Sequence, residues 1–273
     1  MPSIPLPIVA GIALHWWLSV FFQSFFLHRY AAHRMFELSP FWQRTFHLLT
    51  YLTQGASFLN PRAYAVLHRM HHTYSDKPGD PHSPRLLRNP LKMMWNTLGD
   101  YRLVLARRHP LAKPFEFDLV EWRALDRWGG SIWSSLLWTA GYIGFYALFA
   151  TAAWQFLLIP IHIFMGPIHG AIVNYLGHWL GYRNHDIDDH SRNTLWFDFV
   201  TLGELFQNNH HARPNSASFA SRRFEFDPVW PAIVVMDRLR ILRLASRQVL
   251  SQVTSDVRDA VDTADPRVES SAF

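Results

Sequence analysis

The sequence predicts an all-α integral membrane protein: about three transmembrane helices, one further interfacial or re-entrant helix, and a cytoplasmic helical cap that holds a metal site. Three observations predict it. Residues 1–27 and 128–182 contain no Lys, Arg, Asp or Glu, so all 26 Lys and Arg fall in 28–127 and 183–273. The uncharged segments are long and apolar, a division that a mean hydropathy near zero conceals. Two segments of the charged parts, HRMHH at 68–72 and QNNHH at 207–211, end in paired histidines.

A bilayer core takes about 20 apolar residues per helix. Residues 5–27 therefore make one span, and 131–151 and 154–176 make two more joined by a tight turn. Buried helices of soluble proteins seldom run this far without a charge. Lys and Arg are retained on the cytoplasmic side, which places both charged regions inside the cell, the N-terminus outside and the site at the cytoplasmic face of a bacterial inner membrane. The first segment lacks a basic leader and a clear small-residue cleavage site and reads as a span, not a signal peptide. With no Cys, disulfides and thiolate sites are excluded. The net charge of +5 reflects topology and anionic lipid headgroups, and no nucleic-acid motif accompanies it.

FWQRTFHLLTYLTQGASFL, residues 41–59, is long enough to cross but carries Gln43, Arg44, His47, Thr53 and Gln54. A single crossing would put the histidines before and after it on opposite faces of the membrane. It is therefore read as an amphipathic helix that lies in the interface or enters and leaves on one side.

On a helix turning about 100° per residue, positions i, i+3 and i+4 share a side. His68, His71 and His72 fit that spacing, as do Gln207, His210 and His211, while Asn174 and His178 form an i, i+4 pair. His28 and His33 differ, because five residues rotate a side chain by about 140° net on an undistorted helix. That spacing points to separate ions for the two rings. Imidazole suits iron, copper, nickel and zinc, and neutral ligands leave the cation its charge.

These segments resemble the integral-membrane fatty acyl desaturases, with the related hydroxylases, whose three histidine boxes hold a diiron centre. The resemblance is carried by HRYAAH at 28–33, HRMHH at 68–72 followed by TYSDKPGDPHSP, NYLGH at 174–178 and GELFQNNHHARPNS at 203–216. It covers most of residues 10–240 and is nearest the acyl-CoA and acyl-lipid Δ9-type branch, through SDKPGDPHSP and GYR at 181–183. It implies that His28, His72, His178 and His211 bind one iron, with Asn174 acting through water, and that His33, His68, His71 and His210 bind the other. Many family members have a ninth histidine where this chain has Gln207. A Gln carbonyl ligates weakly or holds a metal-bound water; the alternative is a hydrogen bond within its own helix. His185 and His190 read as part of a solvated acidic loop, and His162 and His169 as channel lining or interhelical bonding inside the third span.

The resemblance further implies a fatty acyl substrate, carried as acyl-CoA or acyl-lipid, that gains a cis double bond, Δ9 in position, with two Fe and O2. Hydroxylation on the same scaffold is the alternative, and a membrane metal-binding protein without catalysis a more distant one. The chain has no haem, flavin or iron–sulfur motif, so electrons come from a separate ferredoxin, rubredoxin or cytochrome b5-like donor. Arg85, Arg88, Lys92, Arg107 and Arg108 are candidates for a carrier head group. Residues 1–245 form the membrane domain and 246–273 a polar C-terminal tail with Val249, Val253, Val257 and Val261 four apart.

Overall fold

The first span sets the frame for everything that follows. In the computed structural model, which describes residues 3–245, α1 (Leu6–Phe22) passes without a break into a π-helix, Gln23–Ala32, making one rod of 27 residues. Its outward side chains are apolar, with Leu14 60% exposed, an arrangement that suits lipid rather than water. A short strand, β1 (Phe36–Leu38), follows the rod.

The segment between the first two histidine boxes turns back on itself. α2 (Pro40–Gln54) starts at Ser39, whose hydroxyl accepts from the Trp42 amide, and has Pro40 in its first turn. It buries Phe46, Thr50 and Gln54, spaced four apart, while Phe41, Leu48 and Leu52 stay exposed. Gly55, at φ 57°, ends it. α3 (Pro61–Tyr74) begins at Asn60, whose side chain accepts from the Ala63 amide, and packs along the π-helix. His33 and His68 meet at 2.7 Å, so the chain between them begins and ends on one side. This is the same-face path read for residues 41–59.

α4 (Pro90–Leu105) and α5 (Arg123–Gly129) lead to α6 (Ile132–Phe149), the second helix long and apolar enough to cross a membrane. The third apolar stretch is not one straight helix. Ala153–Ile163, which includes α7 (Ile159–Ile163), and Met165–Leu176, which begins as α8 (Met165–Ala171), meet at 64°. Pro167 explains the break: it has no N–H to offer the Ile163 carbonyl, and its ring crowds that group. A second π-helix, Ile172–Leu176, ends the stretch. His162 makes an interhelical contact, its Nδ1 lying 2.8 Å from Nδ1 of His15 in α1, with the Tyr146 hydroxyl at 3.3 Å from its other nitrogen.

Two further helices close the cap: α9 (Gln207–Ala212) and α10 (Val229–Arg238). β2 (Leu242–Leu244) then pairs antiparallel with β1, Phe36 opposite Leu244, a small ladder added to an otherwise helical protein. Beneath the cap, Phe25, Phe26, Phe36, Phe206 and Ile233 form one core. The expected tail, 246–273, lies outside the described residues.

A Cβ at Gly55 would collide with the Tyr142 hydroxyl, and the positive φ is costly for any other residue. Gly55→Ala should therefore lose about 1–3 kcal/mol of stability. Thermal unfolding of the detergent-solubilised protein measures it, and an unchanged midpoint would show that the turn relaxes freely.

Candidate metal centre

The π-helix decides where the first two rings go. Its bonds run from i to i+5, as His33 N–H to the His28 carbonyl at 3.2 Å shows, so the two residues stand one turn apart on the same side. Their ring centroids lie 5.2 Å apart. α3 brings His68 and His72, and α9 brings His210. The five rings form one group, their ligand nitrogens all within 4.8 Å of one another. Nε2 of His210 is 2.9 Å from Nε2 of both His28 and His72, and His68 Nε2 is 2.7 Å from His33 and 3.0 Å from His72.

His71, His178 and His211 form a second group. Each donates its Nδ1–H to a different aspartate: His71 to Asp80 at 2.9 Å, His178 to Asp76 at 3.0 Å and His211 to Asp189 at 2.6 Å. Their three Nε2 atoms are buried and have no hydrogen-bond partner among the described residues. In the first group, among the described residues, only His28 has such a clamp, Nδ1 to Glu204 at 2.5 Å. Glu204 is itself held by the Ser24 hydroxyl and by Arg29, which also pairs with Asp227 at 2.7 Å.

The electrostatics follow from this layout. Burial, then the charge of neighbouring imidazoles, holds His68, His72 and His210 well below the ordinary imidazole range. They stand neutral near pH 7, with lone pairs free. Burial also lowers His211, to about 4, against the opposing pull of Asp189. His71 goes the other way: burial lowers it, but Asp80, joined by Asp76 and Asp189, raises it on balance. Burial alone would raise Asp80 and Glu204; their paired histidines reverse this and hold each at about 2. A carboxylate on Nδ1 fixes the tautomer and makes Nε2 a stronger donor.

Both groups fit a cation. Two nitrogens at right angles, each about 2.0–2.1 Å from one ion, lie roughly 3 Å apart, which is the spacing within the five-ring group. In the second group, three orphaned buried nitrogens would otherwise cost their full desolvation. With imidazole nitrogens as the donors, the set suits a transition metal and not calcium or magnesium.

The rings sort differently from the partition that the resemblance implied. His28 and His33 fall in one group, because π-helical register replaces the 140° divergence of an α-helix, and His71 parts from His68 and His72 to join His178 and His211. Asn174 is half-buried in the second π-helix, one turn before His178. Gln207 is buried and donates through Nε2 to the Glu204 carbonyl at 2.8 Å, a local bond at the start of α9. Its stem packs where a side chain at 177 would stand, so Gly177 makes room for it.

Sequence reading missed the carboxylates. Asp76 and Asp80 come from SDKPGDPHSP, a turn tightened by Gly79 at φ 97° and by Asp76 itself at φ 60°. The loop 184–193 is no mere solvated connection: Asp189 clamps His211, and the His190 amide donates to Asp76 at 2.9 Å while its ring stays exposed. His82 was missed too; it is buried against His71 at 4.4 Å between rings, is lowered by burial to about 3, and forms a group with His71 and Asp80. His169 packs its ring at the edge of Trp16. Two of the candidate head-group residues are otherwise engaged. Arg85 lies 4.1 Å over Trp179 and donates to the His178 carbonyl, and Arg107 pairs with Glu121 at 2.7 Å.

Comparison with known proteins agrees with this geometry. The sequence model of the fatty acid desaturase family matches residues 4–232. The chain is 27% identical over 219 residues to the sn-1 stearoyl-lipid 9-desaturase of Synechocystis, covering 79% of this chain and 64% of that protein. It is 27% identical to the hex-5-enoyl-[acyl-carrier protein] acetylenase of Moorena producens, covering 88% of this chain and 76% of the other. Delta-9 desaturase-like 2 protein of Arabidopsis thaliana is 28% identical, over 76% of this chain and 66% of that one.

Loss of one clamp should weaken metal binding without unfolding the cap. Asp189→Asn should lower affinity for one of two ions by about 10–100-fold, read by metal titration of the purified protein. Asp126→Asn, which disturbs a His47 pair of the same kind at 2.8 Å outside both groups, should leave affinity unchanged. Equal losses in the two variants would remove the special role of the clamp.

Proposed function

Because the chain belongs to the fatty acid desaturase family, we propose that it is an O2-dependent oxidoreductase that places a cis double bond, at the Δ9 position, in a saturated acyl chain linked to lipid or CoA. The observation that carries this reading is the gathering of eight imidazoles into groups of five and three, with their lone pairs converging.

His28, His33, His68, His72 and His210 would hold one iron, and His71, His178 and His211 the other, with Asn174 acting through water and Gln207 leaving a position that histidine fills in many relatives. Iron bound there, with O2 and two electrons, supplies the oxidising power that side-chain acids and bases lack against an unactivated methylene. The protein's own part is positional. Asp76, Asp80, Asp189 and Glu204 aim the rings, Arg29 and Ser24 fix Glu204, and the buried walls keep water out.

The acyl chain lies between the inner ends of the spans, and the centre faces the cytoplasm across a bacterial inner membrane, as the Lys and Arg bias supports. A ferredoxin, rubredoxin or cytochrome b5-like protein supplies electrons. One observation favours a second reading of the substrate: a relative named for making a triple bond on an acyl-carrier-protein substrate matches 88% of this chain. The same hydrogen removal would then act on a chain already unsaturated.

Mass spectrometry of total fatty acids from a bacterial host expressing the chain should show a new monounsaturated species, located at Δ9 after derivatisation. His71→Ala should abolish it; product persisting in that variant would refute the assigned site. In Gln207→His, loss of the more labile ion to a chelator should slow on the order of tenfold. An unaltered rate would show that residue 207 does not govern retention of the second ion.

A further inference from the structure

α4 has its faces the wrong way round for a helix in water. Asn89 caps it, accepting from the Leu91 and Lys92 amides at 2.9 and 3.1 Å. The inward face carries Met93, Thr97, Tyr101 and Val104, with Tyr101 accepting from the Asn60 amide at 2.8 Å and Val104 buried against α3. The outward face carries Leu91, Trp95, Leu98 and Leu105, with Leu91 80% and Trp95 72% exposed. At about 100° per residue these four fall within an arc of roughly 80°. Arg102 lies in the same arc and Lys92 about 60° to one side of it, whereas Asp100 points the opposite way, toward His109 at 3.4 Å. A narrow apolar stripe rimmed by cations is the pattern of a helix lying in a lipid interface, where long basic side chains reach up to headgroups.

Its position fits that reading. α4 touches α8, part of the third apolar stretch. The Arg88 carbonyl, just before α4, accepts from the Tyr175 hydroxyl at 2.9 Å at the inner end of that stretch. The helix therefore starts where a membrane segment ends, and its apolar stripe continues the lipid-facing surface.

We propose that the outward face of α4 is a membrane-docking surface, seated in the headgroup and upper acyl region of an anionic phospholipid leaflet on the side of the histidine groups. Leu91 and Trp95 enter the apolar layer, and Arg88, Lys92 and Arg102 meet lipid phosphates. The cap is thereby tied to the bilayer by a contact separate from the spans, whatever reaction the centre performs.

The test uses the absence of native cysteine. Leu91→Cys, Trp95→Cys and, at an exposed position opening a short 3-10 turn, Lys113→Cys each give the full-length chain one attachment point for a nitroxide. The labelled proteins are reconstituted in phosphatidylcholine vesicles with about one quarter phosphatidylglycerol, an anionic fraction that gives basic residues a surface to meet. Power saturation with oxygen and with a water-soluble nickel chelate then reports depth. Labels at 91 and 95 should be reached several-fold better by oxygen than by nickel, with the reverse at 113. Nickel reaching 91 and 95 as readily as 113 would overturn the proposal by showing a water-facing helix. Exclusion of both relaxants would overturn it in favour of protein cover, by a second copy or an electron donor. Leu98→Cys reads the same face should either variant fail to fold.

Discussion

The register of the helix at the foot of the first span is the constraint on which the centre depends. A bond from His33 N–H to the His28 carbonyl, five residues back, aims both rings to one side. In an α-helix the second ring would swing away and the five-ring group would lose a member. The π-helix is a costly form found mostly in short stretches at functional sites. Here the surrounding contacts hold it. Arg69 of α3 donates to the Ala31 and Ala32 carbonyls at its end. Arg29, buried at its middle, bonds to the Ala217 carbonyl and lies 3.8 Å over Phe219.

Around that core the two groups are built on different logic. The first relies on number, five rings gathered with one carboxylate behind them. The second relies on orientation, three rings each clamped from behind. The clamped group gathers fewer rings, and the aspartate behind each makes its free nitrogen a stronger donor. The clamps come from three places in the sequence: a turn after α3, a loop after the third apolar stretch, and Glu204 just before α9.

Much of this was legible in the sequence, and for physical reasons. Exclusion of charge from spans is a matter of composition, so 5–27 and 131–151 could be read directly, and the return of 41–59 followed from requiring histidines on one face. The i, i+3, i+4 spacing of His68, His71 and His72 was visible, but which rings share an ion was not, since that depends on where α9 delivers His210 and His211. Spacing alone read His28 and His33 through ideal α-helical geometry and missed the π register. Asp76, Asp80 and Asp189 stayed hidden because an aspartate beside a glycine or in a polar loop has a sufficient local explanation. Length and hydropathy describe the third stretch as one unbroken span, and the bend near Pro167 stayed unread because a single residue carries it.

The central claim is that eight imidazoles hold two irons. X-ray absorption fine structure at the iron edge of the reconstituted protein tests it most directly. The account predicts a nitrogen-rich first shell near ~2.1 Å, with outer-shell scattering from about four imidazoles per iron, eight rings shared between two ions. An average of two or fewer imidazoles per iron, or a shell made chiefly of carboxylate oxygen, would contradict it.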